Sequence, residues 1–118
     1  MSDPADAVQA QLAKLRKKFG LALPEKTSAI GAAVASLVAG PWNEQACADA
    51  HRQAHSLAGS SGTYGFPEIG GVARTVEAFL KQCLESRALL SAAQKSQIDR
   101  LIQDLRDLAA EAARKVSA

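Results

Sequence analysis

The last quarter of the chain limits the fold most tightly. Ile98, Leu101, Ile102, Leu105, Leu108, Ala109, Ala112 and Val116 recur every three or four residues. That period gathers all eight on one side of an α-helix, whereas a strand would scatter them over both faces. A helix with such a stripe needs an apolar partner, and the remaining sequence offers only further helices. Runs of alternating β-branched residues are missing, while alanine and leucine, both strong helix formers, dominate. With 118 residues, 47% of them apolar, the chain can fill one core. The expected fold is all-α, one domain over 1–118.

Glycine and proline divide this material into helices. Asp3 reads as an N-cap with Pro4 at the first helical position, and Val8, Leu12, Leu15 and Phe19 form one stripe. Gly20 reads as a C-terminal cap, followed by a linker at 21–23. A second helix is predicted over 24–39, burying Ile30, Val34, Leu37 and Val38, until Gly40-Pro41 stops it. The third runs from the N-cap Asn43 to about 61, with Cys47, Ala50, Ala54, Leu57, Ala58 and Ser61 inward. Gly62, Gly65 and Pro67 then punctuate a turn. The fourth starts near Pro67 and turns Ile69, Val72, Ala73, Val76, Leu80, Cys83 and Leu84 inward. Ser91-Ala92-Ala93-Gln94 has the form of a capping box and opens the fifth. Short connections favour antiparallel neighbours. The prediction is an antiparallel up-down four-helix bundle over about 24–116, with an additional N-terminal helix packed along or across it.

Net charge is only +2, and the one basic cluster is Lys14, Arg16, Lys17 and Lys18. We read it as a solvated helix end, with an anionic partner or lipid headgroups as the alternative. A nucleic-acid partner is not expected: there is no broad basic face, and aromatics are 4% of residues, too few for base stacking. No stretch approaches the ~20 apolar residues of a membrane span. The start, Met1-Ser2-Asp3-Pro4-Ala5-Asp6, is polar and acidic, unlike a secretory signal. Cys47 and Cys83 fall opposite each other across the third and fourth helices and are expected as reduced core thiols. A cytoplasmic location follows as an expectation.

Function centres on the third helix. Ala54 and Leu57 point inward, so His55 lies about 100° away, at the edge of the core or outside it. His51, His55, Gly59 and Gly62 follow at spacings of 4, 4 and 3, giving one outer stripe of two imidazoles and two bare backbone positions. Glycine within a helix costs about 1 kcal/mol relative to alanine. Accepting that cost one turn above an imidazole clears space for something to approach the ring. A neutral imidazole is a nucleophile, and its phosphoramidate can pass the phosphoryl group on.

The run His55-Ser56-Leu57-Ala58-Gly59-Ser60-Ser61-Gly62-Thr63-Tyr64-Gly65 resembles the phosphorylation-site helix of histidine-containing phosphotransfer (HPt) domains. His55, Leu57, Gly59, Ser60, Ser61, Tyr64 and Gly65 fit that family's pattern, and the resemblance extends over about 24–116. It implies the same four-helix architecture and a phosphoryl carrier at His55. The partners it implies are response-regulator receiver domains, a sensor histidine kinase, or both. The chain has no ATP-binding segment, so a kinase activity is not expected. No cofactor is expected on the chain itself, the Mg²⁺ of transfer being carried by the receiver. An exposed site that must stay available favours a monomer.

One departure from the family is Ala58, where most HPt domains have a lysine that helps neutralise the phosphoryl group. Arg52, one turn before His55, and Arg74, on the facing helix, are candidates to supply charge. The alternative is that these arginines pair with Asp49 or Glu77. Ala58 also keeps open a helical interaction module without phosphotransfer. A metal site is not expected: His51 and His55 have the spacing of paired zinc ligands, but no third ligand is evident beyond Cys47, which falls on the inward stripe. Ser56, Ser60 and Ser61 lack a nucleophile elbow and read as small residues that let helices approach.

Overall fold

The computed structural model describes residues 3–118. Met1 and Ser2, at the head of the polar start, lie outside the described residues. Four α-helices account for nearly all the rest: α1 (Pro4–Ala39), α2 (Glu44–Tyr64), α3 (Pro67–Ser86) and α4 (Ala92–Ser117). Each packs on its chain neighbours, and α4 closes back on α1. The result is the expected up-down-up-down bundle.

The separate N-terminal helix is not present. The segments predicted as two helices are one 36-residue helix that runs through both Gly20 and Pro24. Gly20 is buried, and a Cβ there would lie 2.9 Å from Val116 Cγ2 and 3.2 Å from Phe66 Cζ. Its role is close packing against α4, not capping. Pro24 stands exposed and forfeits a single backbone bond, while the Thr27 hydroxyl donates to its carbonyl at 3.1 Å. Interior proline costs about 3 kcal/mol. Phe19, Leu23, Thr27, Ile30, Val34 and Leu37 offset that, because all are buried on one face that stays in phase across the proline. Burying a large apolar side chain is worth about 1.5–3 kcal/mol, so several outweigh one lost bond.

The unbroken α1 is also long and apolar enough to cross a membrane, its best 18-residue window having a mean hydropathy of 1.2. The sequence reading, which split the helix, did not expect this. Only a third of that window is buried in the bundle, but the buried face carries the large core residues Leu23, Ile30, Val34 and Leu37. A core helix meets the same criterion.

Capping explains the remaining boundaries. Asn43 accepts from the Ala46 N–H at 3.0 Å and starts α2. That helix continues three residues past its predicted end, through Gly62 to Tyr64. Gly65 ends it in the left-handed region at φ 83°, while the Phe66 N–H donates to the Ser61 carbonyl at 2.8 Å. Ser91 and Gln94 form the reciprocal capping box that opens α4.

The core is centred on Leu23, Ile30, Val76, Leu80, Ile98 and Leu105. Between α2 and α3 the lining is small: Ala50, Ala54, Ala58 and Ala73 are buried, and Gly70 faces Ala58 and Ser61. A Cβ on Gly70 would stand 3.4 Å from the Ala58 carbonyl oxygen, so these two helices lie close together. Cys47 and Cys83 are buried free thiols, and the Cys47 Sγ–H donates to the Leu80 carbonyl at 3.5 Å. Burial, with Cys83 and Glu44 nearby, pushes the Cys47 thiol up to about 11. At the end of the bundle near the α2–α3 turn, Phe19 stacks on Tyr64 at 4.9 Å and tilts against Phe66 at 5.7 Å.

Candidate functional site

Ala54 and Leu57 are buried in α2 and turn His55 out of the bundle, where its side chain is 74% exposed. One ring nitrogen is nevertheless held. His55 Nδ1 lies 2.5 Å from Oε2 of Glu77 on α3, a short hydrogen bond. An ionised carboxylate can only accept, so the Nδ1–H donates, and in the neutral ring the lone pair then falls on Nε2. Glu77 is itself largely covered, at 24% exposed, which restricts where its carboxylate can swing. The close α2–α3 seam makes this reach possible: a short glutamate stem spans from one helix to the ring on the other.

His51, one turn earlier on α2, approaches the same Glu77 oxygen at 3.9 Å through Nε2. That is an ion-pair distance for a protonated ring and too long for a hydrogen bond. Beyond His55, the predicted bare surface is present. A Cβ on Gly59 or Gly62 would meet nothing within 4 Å. Unlike Gly20 and Gly70, these glycines have no packing reason to be glycine. What they provide is open approach to the outer face of the helix. Beside this face, a shallow groove of about 390 Å³ runs between α1 and α2, bordered by Phe19, Lys26, Ile30, Gln53, Ser56 and Ser60.

The two arginines fall elsewhere. Arg52 pairs with Asp49 at 3.3 Å on its own helix, the alternative weighed for it. Arg74 is exposed, and the side chain that reaches the imidazole from α3 is Glu77 instead. The hairpin register, predicted to set His55 opposite about Thr75, holds: it places Glu77 level with residue 53, and Glu77 reaches both His51 and His55. Sequence reasoning had Glu77 only as a surface partner for an arginine; its nearness to the histidines was available from the register. Position 58, where the family has lysine, lies in the α2–α3 seam with Ala58 only 4% exposed. Cys47, fully buried, does not join His51 and His55, and no group of three His, Cys, Asp or Glu residues suited to a metal ion occurs among the described residues.

The site therefore presents an exposed imidazole, held through Nδ1 by a carboxylate from the neighbouring helix, beside a stretch of helix stripped of side chains. The family model described as Hpt domain matches residues 6–111. No curated protein and no solved structure matches the chain. Hpt domains are phosphocarriers that serve histidine phosphotransfer in phosphorelays and interact with receiver domains and kinases. With nearly its whole length matched, this chain belongs to the Hpt domain family.

Proposed function

We propose that His55 is the phosphorylated residue and that Nε2 is the atom that carries the group. The observation behind this reading is the 2.5 Å contact of Nδ1 with Glu77, which leaves the exposed Nε2 as the free lone pair. In transfer, Nε2 attacks the phosphorus of an aspartyl phosphate on a receiver domain. The N–P bond forms as the P–O bond to the aspartate breaks, and the carboxylate leaves with the electron pair. The ring, now bonded at both nitrogens, carries positive charge, which Glu77 balances through the retained Nδ1–H. Mg²⁺ on the receiver would neutralise charge on the transferring group. Return to a second receiver aspartate reverses these steps. Docking on the His51, His55 and Gly59 face and the adjoining α1–α2 groove brings the aspartate in line. Two reduced, buried thiols suit a reducing cytoplasm.

The test is phosphoryl acceptance from phosphoramidate or a phosphorylated receiver, read by intact mass. Wild type gains one phosphoryl mass, and His55→Gln gains none. A second reading, a helical module that binds partners without phosphotransfer, draws on the buried, uncharged Ala58. A cellular role that survives His55→Gln would favour it.

A further inference from the structure

α1 outruns the bundle. Its 36 residues make a rod of about 54 Å. The antiparallel α4 ends where Val116 meets Gly20, so residues 4–18 carry α1 about 22 Å past it, the last of them against the end of the bundle, where Arg16 lies over Phe66 at 4.8 Å. The molecule is accordingly 61 Å long but only 25 by 18 Å across. On the projection, Val8 is 58% and Leu12 51% exposed, and Leu15 is half-buried. These residues share the face that carries Phe19, Leu23 and Ile30 into the core. The core stripe runs on into solvent. At its base the stripe meets the end of the bundle, where a groove of about 230 Å³ is floored by Phe66, Leu108 and Val116 and edged by Arg16 and Lys115. Wall and floor form a corner.

Charge on the projection is segregated along its length. Asp3 and Asp6 stand at the tip, no basic residue precedes Lys14, and Lys14, Arg16, Lys17 and Lys18 crowd the base. Two copies laid parallel would set four cations against four. Laid antiparallel, each acidic tip lies beside the other's basic base, and the helix dipoles oppose favourably. A two-fold axis between Gln11 and Leu12 brings Val8 of each copy level with Leu15 of its partner. The tip bearing Asp3 then arrives at the groove edged by Arg16 and Lys115. A lipid surface fits the corner less well. The cations encircle the helix, with Lys17 behind the stripe, and the end of the bundle would hold a bilayer away from Leu15.

We infer that this chain pairs with a second copy of itself through residues 4–18 of α1, packed antiparallel about a two-fold axis. The inference is independent of the phosphotransfer reading. The monomer expected from the need for an open histidine is not required, because His55 lies nine residues before the end of α2, about 14 Å from the joint. About 22 Å of paired helix buries less than the roughly 1,600 Å² of a standard interface, so pairing depends on concentration.

Sedimentation velocity of the full chain, from micromolar to near-millimolar concentration, tests this. A monomer–dimer equilibrium is expected. Leu12→Glu abolishes it, and Arg16→Glu with Lys115→Glu, at the groove where the partner's acidic tip arrives, weakens it about tenfold, all with unchanged circular dichroism. Under mild oxidation Gln11→Cys, beside the axis, links into a dimer, while Ala5→Cys does not. A monomer at every concentration overturns the inference, as does a dimer that Leu12→Glu leaves intact. Equal linking of the two cysteine variants overturns the antiparallel arrangement. A chain that stays monomeric but binds vesicles of anionic phospholipid through Leu12 assigns the surface to membranes instead.

Discussion

At the scale of single residues, the site rests on a glutamate and a glycine whose roles separate cleanly from stability. Glu77→Gln keeps the size of the side chain but removes its charge, leaving the Nδ1 proton held weakly and the cationic phosphoimidazole unbalanced. Phosphoryl acceptance should fall about tenfold or more, consistent with the loss of a charge-assisted hydrogen bond worth about 1.5–3 kcal/mol. Rapid-quench transfer kinetics check this, and folding should be little affected because Glu77 is paired at the surface with an exposed ring. Gly59→Ala should act oppositely on stability. A Cβ there meets open space, so helix propensity predicts a gain of about 1 kcal/mol in urea denaturation. Larger substitutions such as Gly59→Arg should keep the fold and slow transfer from a receiver, because the proposed docking face is the bare surface they would cover. Cys47 supplies a pH test. Its thiol ionises near its ordinary value of 9.0 in the unfolded chain but only near 11 in the fold. Its contribution to stability is complete below pH 9 and is lost as pH rises from 9 through 11, on the order of 2 kcal/mol. Wild type should lose more stability than Cys47→Ala over that window, measured by urea titration at each pH.

At the scale of elements, what the sequence revealed and what it hid divide by distance along the chain. The α4 stripe and its Ser91–Gln94 box are legible because every residue involved is a near neighbour. So is the outward direction of His55, which follows from buried Ala54 and Leu57 within the same turn. Gly20 was misread because its partners, Val116 and Phe66, are remote in sequence and supply the reason for a glycine. Pro24 was misread because its local cost is visible and the burial that offsets it is not. The phase of Phe19, Leu23 and Thr27 across the proline was the available signal. Glu77 was missed as a histidine partner because the register gives only the level of a residue, and a glutamate side chain reaches a full half-turn along the seam to the ring. These corrections predict opposite signs for neighbouring substitutions. Gly20→Leu should destabilise by about 1–3 kcal/mol through overpacking against α4. Pro24→Ala, at an exposed helical position, should stabilise by about 1–3 kcal/mol. Chemical denaturation of the two variants measures both.

At the scale of the molecule, the bundle holds one surface rigid and leaves another uncovered. Small residues draw α2 and α3 together, so that a side chain on one helix fixes a ring on the other. The same four-helix frame ends about level with Gly20, beyond which α1 continues alone. The proposed histidine chemistry and the proposed helix pairing therefore occupy separate parts of the protein, and neither obstructs the other. The central claim is that His55 Nε2 carries the phosphoryl group, and intact mass of wild type and His55→Gln after exposure to a phosphorylated receiver tests it most directly. One phosphoryl mass on wild type and none on the variant is the predicted result. Equal labelling of both chains, or no labelling of wild type across a panel of phosphorylated receivers, would contradict it.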